Sequence, residues 1–451
     1  MNLERFIAAL GADEVVNEAP IGIHDLAYAT DAVADRSLFF CVRGAHVDGH
    51  ELAARAVAAG AAALVVEHPV DVAVPQLVVP DVRAAMPVAA TLFFDDPTRT
   101  LDVVAVTGTN GKTTTAFLLH AILAAAGRHA GLLTNIERRV GGEQRPTGLN
   151  TPEAIDLQRL FREMLDGGDD SVVMEATSIA KAQGRLEGTR FAVLVFTNLT
   201  QDHLDFHGTM EDYYAAKRAM FDHADRAVVN VGDEYGRRLA AELPDAITFD
   251  ATSDAADDIE LALPGSFNRE NAIGAALAAR ALGVDADAIK RGIESVRGVP
   301  GRFEPIEEGQ SFTVIVDYAH TPDSLENVLR AARGVGDGKL HVVFGAGGDR
   351  DRSKRPLMGR VAADLSDHAI LTSDNPRSEE PEAIAAEVAE GDFSRFEVEL
   401  DRRRAIELAV SEARAGDVVV IAGRGAEPEQ ELAGARIPFD DREVARAALR
   451  R

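Results

Sequence analysis

The chain has a single cysteine, Cys41, among its 451 residues. One thiol excludes an internal disulfide framework and a cysteine-rich zinc site, and it fits a reducing compartment. The apolar runs are far shorter than the roughly 20 residues that span a bilayer. The first residues include acids and lack the basic and apolar regions of a secretory signal. The sequence therefore predicts a cytoplasmic protein with no membrane span.

Positive charge is also scarce. The chain has 47 Lys and Arg residues against 74 Asp and Glu residues, which gives a net charge of −27. Because no basic stripe is present to meet a phosphate backbone, we expect no nucleic-acid partner. An anionic substrate must then be held by a few well-placed cations, metal ions or helix N-termini, since the overall field repels it.

Strand and helix patterns alternate along the whole chain, which predicts an α/β protein with mostly parallel sheets. The length suggests about three domains. A turn-rich segment at residues 95–100 and a linker rich in glycine and proline at 298–305 mark the boundaries. We predict domains at residues 1–98, 99–298 and 299–451, with ligands at the carboxyl ends of the strands.

A glycine-rich loop between a strand and a helix is the strongest chemical signal. AVTGTNGKTTT, residues 105–115, follows an apolar strand at 103–106 and precedes an apolar helix at 116–126. Backbone N–H groups in such a loop surround phosphate oxygens, a lysine reaches the terminal phosphates and a threonine hydroxyl binds Mg²⁺. Val106 stands where the standard motif has its first glycine, which disfavours a GTPase or kinase. The predicted nucleotide-binding residues are Gly108, Thr109, Asn110, Gly111, Lys112, Thr113 and Thr114.

This variant of the loop resembles that of the Mur ligase superfamily, the ATP-dependent amide ligases of peptidoglycan precursor synthesis, which have folylpolyglutamate synthetases as relatives. Further motifs match the family in the same order: EATS at 175–178, the segment 196–221, LPGSFNRENAIGA at 263–275, GRFE at 301–304 and VDYAHTPDS at 316–324. The resemblance implies a small N-terminal α/β domain that binds a UDP-muropeptide. It also implies a central P-loop ATPase-like domain and a C-terminal Rossmann-like domain that binds an amino acid.

The resemblance also implies catalytic and metal-binding roles. Glu175 would hold Mg²⁺, His203 would hold a second metal ion, and a carbamylated Lys217 would help to hold that second ion. By residue type alone, Lys217 also fits a solvated helical lysine, while His203 and His207 also fit a structural pair, and we expect His207 to be structural. The implied catalytic residues are then Lys112, His203 and Lys217. The implied metal ligands are Thr113, Glu175, His203 and Lys217. Asn271, Arg302 and Asp317 match family positions that contact the nucleotide.

Two stretches match family positions that bind the acceptor muropeptide. These positions are Asn150, Thr151, Pro152, Thr177, Gln183 and Arg185. The N-terminal domain conforms less well, because the segment 28–44 lacks a triplet that relatives carry there. The loop AHVDGH at 45–50 does match one that approaches the uridine nucleotide, although surface-loop positions for His46 and His50 stay open.

The segment SDNPRSEEP at 373–381 resembles the signature of the members that add meso-diaminopimelate to UDP-N-acetylmuramoyl-L-alanyl-D-glutamate. Diaminopimelate is lysine with one more carboxylate, and an arginine fork matches a carboxylate. A site built for that group rejects the analogue without it by a factor of about 10⁴. The resemblance implies distal contacts from Arg350, Asp374, Asn375, Pro376 and Arg377.

A second amino-acid motif is AGRGAE at 422–427. Gly423 and Glu427 match family positions that contact the α-amino and α-carboxylate groups of the incoming amino acid. Relatives show AGKGHE there, so Arg424 and Ala426 depart from the pattern and leave the fine ligand geometry open.

These expectations combine into one predicted function. The chain is predicted to be a monomeric ATP- and Mg²⁺-dependent ligase that joins the amino acid to the muropeptide through an acyl phosphate. Its partners are then the UDP-muropeptide, diaminopimelate and ATP. Two alternatives remain: a Mur-like or folylpolyglutamate-type ligase with another acceptor or amino acid, and a catalytically silent ATP-binding protein on the same fold.

Overall fold

A computed structural model describes residues 1–44 and 47–451. Its helices are α1 (Leu3–Leu10), α2 (Ala53–Ala59), α3 (Val82–Phe93), α4 (Lys112–Ala125), α5 (Ala154–Asp166), α6 (Ser178–Ala182), α7 (Leu204–His207), α8 (Met210–Arg218), α9 (Glu234–Glu242), α10 (Ser266–Ala281), α11 (Ala286–Ser295), α12 (Pro322–Arg333), α13 (Lys354–Leu365), α14 (Pro381–Val388), α15 (Arg402–Glu412) and α16 (Asp441–Leu449).

The strands alternate with these helices. They are β1 (Glu14–Val16), β2 (Asp25–Ala27), β3 (Ser37–Phe40), β4 (Ala61–Val66), β5 (Gln76–Val78), β6 (Asp102–Thr107), β7 (Ala130–Leu133), β8 (Arg138–Val140), β9 (Glu143–Arg145), β10 (Ser171–Glu175), β11 (Val193–Phe196), β12 (Ala227–Asn230), β13 (Ile247–Phe249), β14 (Glu304–Ile306), β15 (Thr313–Asp317), β16 (Leu340–Phe344), β17 (His368–Leu371), β18 (Glu397–Val398), β19 (Val418–Ala422), β20 (Glu429–Leu432) and β21 (Ala435–Pro438).

The chain forms two compact units. The first contains Met1–Ala105, Arg128–Val193 and Ala216–Asp225, and the second contains Val106–Gly127, Leu194–Ala215 and Arg226–Arg451. The chain passes from the first unit to the second inside β6, and again inside β11.

The first unit contains a five-stranded sheet in the order β1-β5-β4-β3-β2, in which only β1 is antiparallel to its neighbour. Side chains alternate between the two faces of β3, so Leu38 and Phe40 enter one core and Phe39 enters another. Ile155 of α5 joins the first of these cores. In the same unit β7 and β10 pair in parallel, and β8 and β9 extend β7 as antiparallel strands.

The second unit contains the parallel strands β11, β12 and β13 and a six-stranded sheet in the order β14-β15-β19-β16-β17-β18. Within the six-stranded sheet only β14 is antiparallel. The central strands are mostly apolar because helices cover both faces, and their side chains fill two separate cores. Strands β20 and β21 form a separate hairpin.

The predicted α/β fold with mostly parallel sheets is confirmed, with several corrections to element boundaries. The helix predicted from residue 116 begins at Lys112, because the glycine loop leads directly into α4. The predicted linker at 298–305 ends in the first residues of β14. The antiparallel strands β8, β9, β20 and β21 were not predicted. Among the described residues, no helix is both long and apolar enough to cross a membrane.

Candidate active site

The glycine loop of the second unit connects β6 to α4. Gly111 lies at the N-cap of α4 with φ +85°, so Lys112 is the first helical residue. The Lys112 ammonium turns back over the loop and donates to the carbonyl oxygens of Gly108 at 3.1 Å and Thr109 at 2.7 Å. The loop thus presents a lysine and a helix N-terminus to the same space, which is the arrangement that binds phosphate groups.

The segment after β11 holds this loop in place. The backbone N–H of Asn110 donates to Asn198 Oδ1 at 2.9 Å, and the Thr197 hydroxyl donates to the Asn110 carbonyl at 2.6 Å. A Cβ on Gly108 would lie 1.9 Å from Thr197 Oγ1, so only glycine fits at this close approach. The loop conformation therefore depends on residues about 90 positions away in the sequence.

Three predicted nucleotide contacts lie beside the start of α4. The Arg302 guanidinium donates to Thr113 Oγ1 at 2.9 Å and stacks on the Tyr318 ring, with its carbon 4.3 Å from the ring centroid. Asn271 is buried and accepts from the Thr115 hydroxyl at 3.3 Å. Arg302, Thr113 and Asn271 are therefore gathered around the phosphate loop.

Asp317 ends β15 and fixes the backbone near Arg302. Its two carboxylate oxygens accept from the N–H groups of Phe303 at 2.6 Å and Ala319 at 2.7 Å. Burial raises the pKa of Asp317, although the Arg302 charge and both hydrogen bonds act in the opposite direction. Phe303 has a left-handed φ of +47°. The predicted nucleotide contact at Asp317 thus also orients the neighbouring Arg302.

His203 lies in a cluster of charged side chains around the buried Asp202. Its Nε2 is 3.3 Å from an Asp202 oxygen, and the same carboxylate meets Lys354 at 3.3 Å and His320 at 3.5 Å. Burial opposes ionisation of Asp202, but the hydrogen bond with His320 and the Lys354 charge hold its pKa well below the usual value. The ring of His207 instead stacks on Tyr213 with centroids 5.0 Å apart.

The first unit brings most of the predicted muropeptide residues together. Thr151 donates to the backbone carbonyl of Glu175 at 3.0 Å and lies 3.1 Å from the Thr177 hydroxyl. Asn150 donates to the Glu175 carboxylate at 3.1 Å, and Arg185 donates to the Thr151 carbonyl at 3.2 Å. These contacts join the end of β10 to the start of α6 and to the loop before α5.

Gln183 and Pro152 extend this region. Gln183 follows α6 and lines a cavity of about 900 Å³ in the first unit, while Pro152 is buried next to Thr151. Lys217 lies in α8 with only 1% of its surface exposed, so a solvated position for this lysine is wrong.

His50 is buried as well, so its surface-loop alternative is wrong. Its Nδ1 lies 2.6 Å from Asp48, and its Nε2 accepts from the Glu67 N–H at 2.9 Å. Ala45 and His46 of the same motif lie outside the described residues.

Both amino-acid motifs meet at the carboxyl ends of β17 and β19 in the second unit. Asn375 donates to a Glu427 carboxylate oxygen at 3.0 Å, and Tyr318 donates to the other oxygen at 3.3 Å. Gly423 directly follows β19, where an added Cβ would lie 2.4 Å from Asp374. Burial and the nearby Asp374 charge raise the pKa of Glu427. Among the described residues, Oδ2 of Asp374 is buried without a hydrogen-bond partner.

The predicted arginines approach the same glycine. A Cβ on Gly347 would lie 3.1 Å from an Arg377 guanidinium nitrogen and 3.8 Å from Arg350 Cγ. Arg377 has a left-handed φ of +55° directly after Pro376 and donates to the Gly348 carbonyl at 2.5 Å. The loop after β16 and the loop after β17 therefore bring two arginines together, and Arg377 also lies 3.6 Å from Glu431 of the β20–β21 hairpin.

The sequence did not reveal a buried ion pair behind these motifs. Arg402 and Asp441 are fully buried and joined by two hydrogen bonds of 2.8 and 2.6 Å. Arg402 also donates to the carbonyls of Ser373 at 3.3 Å and Ala422 at 2.9 Å, the residues just before Asp374 and Gly423. The partners are 39 residues apart, so no local pattern points to them.

Arg424, which replaces the family lysine, is also fully buried. It lies 3.7 Å from Asp441 and donates to the backbone carbonyls of Glu429 and Phe439. Its guanidinium therefore holds the backbone at both ends of the β20–β21 hairpin from the protein interior.

Three family models match consecutive parts of the chain. They are described as "Mur ligase family, catalytic domain" over residues 22–96, "Mur ligase middle domain" over 106–258, and "Mur ligase, glutamate ligase domain" over 301–425. Structural similarity to a MurF from Acinetobacter baumannii, at 20% identity, has a TM-score of 0.69 and covers 93% of this chain and 95% of that one. It supports the same fold.

Two relatives are more similar in sequence. A protein from Geobacillus kaustophilus named UDP-N-acetylmuramoyl-L-alanyl-D-glutamate--2,6-diaminopimelate ligase is 44% identical over 454 residues, covering 93% of both chains. A solved structure with the same enzyme name is 33% identical with a TM-score of 0.63, covering 95% of both chains. The chain belongs to the Mur ligase family.

Proposed function

We propose that this chain is the ATP-dependent ligase that joins meso-diaminopimelate to UDP-N-acetylmuramoyl-L-alanyl-D-glutamate in peptidoglycan precursor synthesis. The observation that carries the proposal is the meeting of Asp374, Asn375 and Glu427 at the ends of β17 and β19, with the loop of Arg350 joined to Asn375 by a backbone hydrogen bond of 2.9 Å. Diaminopimelate has an amino and a carboxylate group at each end. Carboxylates bind its amino groups and guanidinium groups bind its carboxylates.

The distal end of the amino acid is assigned to Arg350, Arg377 and the loop residues Asp374, Asn375 and Pro376. The unpartnered oxygen of Asp374 is a ready acceptor for a substrate ammonium group. Gly423 and Glu427 are assigned to the α-amino and α-carboxylate end. L-Lysine lacks one carboxylate and would leave an arginine without its partner, which is the physical basis of discrimination.

ATP is assigned to the glycine loop. Residues Gly108 to Thr114 would surround the phosphates, and Asn271, Arg302 and Asp317 would contact the nucleotide. The loop fits this role, because it leads into the N-terminus of α4 and Lys112 already spans it. Lys112 would neutralise the charge that develops on the phosphates during transfer.

One Mg²⁺ ion would be held by Thr113 and Glu175 and a second by His203 and Lys217, and both would shield the phosphate charge. Oxygen ligands suit Mg²⁺, and carbamylation would convert Lys217 from a cation to an anionic oxygen ligand. The burial of Lys217 to 1% exposure supports a specific role, since a buried ammonium group is costly.

The muropeptide is assigned to Asn150, Thr151, Pro152, Thr177, Gln183 and Arg185. In the proposed reaction the γ-phosphoryl group passes to the D-glutamate side-chain carboxylate, giving an acyl phosphate and ADP. The diaminopimelate amine then attacks the acyl carbon, loses a proton, and expels phosphate as the amide bond forms. No protein nucleophile is needed.

We also propose the domain division 1–98, 99–298 and 299–451. The three family models support it, because their matched ranges fall within these limits. The N-terminal domain would bind the UDP-muropeptide, the central domain ATP, and the C-terminal domain the amino acid. The protein would act in the cytoplasm as a monomer on small-molecule substrates, without nucleic acid.

The specificity assignment is tested with Arg377→Met. We expect KM for meso-diaminopimelate to rise by about 10-fold to 100-fold, because a charge-assisted hydrogen bond contributes about 1.5–3 kcal/mol, while KM for ATP stays unchanged. Arg436→Met is the matched control, since Arg436 is 72% exposed on the neighbouring hairpin. Equal KM values for Arg377→Met and the control would contradict the assignment.

The nucleotide assignment is tested with Lys112→Ala, which we expect to abolish ligation while preserving the fold by circular dichroism. Lys290→Ala removes a half-exposed helical lysine and serves as control. Normal turnover by Lys112→Ala would overturn the phosphate-loop role.

A further inference from the structure

Two histidines face each other at the end of the C-terminal sheet opposite to the amino-acid motifs. His341 lies in β16 and His368 begins β17, and the two residues are directly opposite in the parallel register. His341 is buried, and the His368 side chain is 25% exposed. Glu412, the last residue of α15, completes the group.

The facing atoms are all potential metal ligands. Nδ1 of His341 lies 3.3 Å from Nδ1 of His368, and that same His368 nitrogen lies 3.3 Å from a Glu412 carboxylate oxygen. The three ligand atoms all lie within 4.8 Å of one another. Glu412 is 45% exposed, which leaves its carboxylate room to adjust.

The outer nitrogens of both rings meet other carboxylates. Nε2 of His341 is 3.4 Å from Asp417, and Nε2 of His368 is 2.9 Å from Glu397. When each neutral ring donates its Nε2 proton to these carboxylates, its Nδ1 carries the lone pair. The two Nδ1 lone pairs then point at each other and at Glu412, which places three acceptors together and calls for a cation between them.

The spacing suits a transition-metal ion. Tetrahedral Zn²⁺ with bonds of about 2.0–2.1 Å to nitrogen separates two ligand nitrogens by about 3.4 Å, close to the observed 3.3 Å. A carboxylate on the second ring nitrogen is the usual support of a metal-binding histidine. Glu412 ends a helix, where the dipole disfavours an anion, and a bound cation would offset this.

We infer that His341, His368 and Glu412 form a site for one Zn²⁺ ion, with Asp417 and Glu397 orienting the two rings. The fourth position would take water. The ion would tie the end of α15 to β16 and β17. This site is separate from the ligase assignments and does not depend on them.

The test is equilibrium dialysis of the full chain against Zn²⁺ in excess Mg²⁺, with His368→Gln and Glu412→Gln as variants. We expect each variant to bind one Zn²⁺ fewer, or to bind it at least about 100-fold more weakly. Glu397→Gln should weaken that ion by about 10-fold to 100-fold. The matched control is His24→Gln, because His24 is an exposed histidine 4.0 Å from a carboxylate, Asp35.

A thermal melt gives a second readout. Zn²⁺ should raise the Tm of the parent and of His24→Gln, but not that of His368→Gln. Equal Zn²⁺ stoichiometry and affinity in all variants would overturn the inference, and so would a parent protein that binds none. Ligase activity assayed with Mg²⁺ after Zn²⁺ removal reports on the proposed function separately.

Discussion

The buried pair of Arg402 and Asp441 gives the sharpest prediction about how the amino-acid site is held. The substitution Asp441→Asn keeps the shape of the side chain but removes its charge. Both partners are fully buried, and Arg424 lies 3.7 Å from the same carboxylate. The substitution therefore leaves the buried Arg402 without its ion-pair partner, and it leaves Arg424 with only the carboxylate of Glu427, 3.9 Å away.

The expected effect follows from that burial. Removing one partner of a buried pair costs about 3–5 kcal/mol of folding free energy, which corresponds to about 10²-fold to 10⁴-fold in the folding equilibrium. Arg402 also holds the carbonyls of Ser373 and Ala422 at the base of both amino-acid motifs. We therefore expect KM for diaminopimelate to rise while KM for ATP does not.

The assay is urea unfolding at neutral pH followed by circular dichroism, together with steady-state kinetics. Asp364→Asn is the control, because its pair with Arg395 is exposed on both sides and such a pair contributes at most about 1 kcal/mol. The reasoning is refuted if Asp441→Asn loses no more stability than Asp364→Asn.

Three further predictions concern the other clusters. In Gly108→Ala the new Cβ would collide with Thr197 Oγ1, and we expect kcat/KM for ATP to fall about 100-fold, measured by phosphate release; unchanged kinetics would contradict the close approach. Thr151→Val removes the hydrogen bond to Glu175, so KM for the UDP-muropeptide should rise about 5-fold or more, with KM for ATP as the internal control. In Asp202→Asn the free energy of unfolding should fall by about 3 kcal/mol at pH 7. Because the pKa of Asp202 is lowered in the folded protein, its carboxylate stabilises the fold above about pH 3.9, and this stabilisation is lost as the pH falls further. Urea titrations should therefore show a larger loss of unfolding free energy in the variant at pH 7 than at pH 3.

The parts of the fold that local sequence determines were predictable. The loop at 105–115 combines an apolar strand, a glycine turn and an apolar helix within one short segment, so sequence alone located it. The apolar strand predicted at 103–106 lies within β6 for the same reason. The antiparallel strands β8 and β9 were missed because they are short and polar.

Local sequence patterns could not predict the contacts between distant segments. The convergence of Arg350 and Arg377 on Gly347 depends on how two loops leave neighbouring strands. The opposition of His341 and His368 depends on the register of β16 against β17. The burial of Lys217 likewise depends on how α8, which contains both charged and apolar residues, packs against distant segments.

The central claim is the identity of the added amino acid. It is tested most directly by phosphate release with ATP, Mg²⁺ and UDP-N-acetylmuramoyl-L-alanyl-D-glutamate, comparing meso-diaminopimelate, L-lysine and no amino acid, with the product identified by mass. We predict turnover that depends on meso-diaminopimelate and a product heavier by one diaminopimelate residue. Turnover with L-lysine alone would contradict the specificity, and no turnover with either amino acid would contradict the ligase assignment itself.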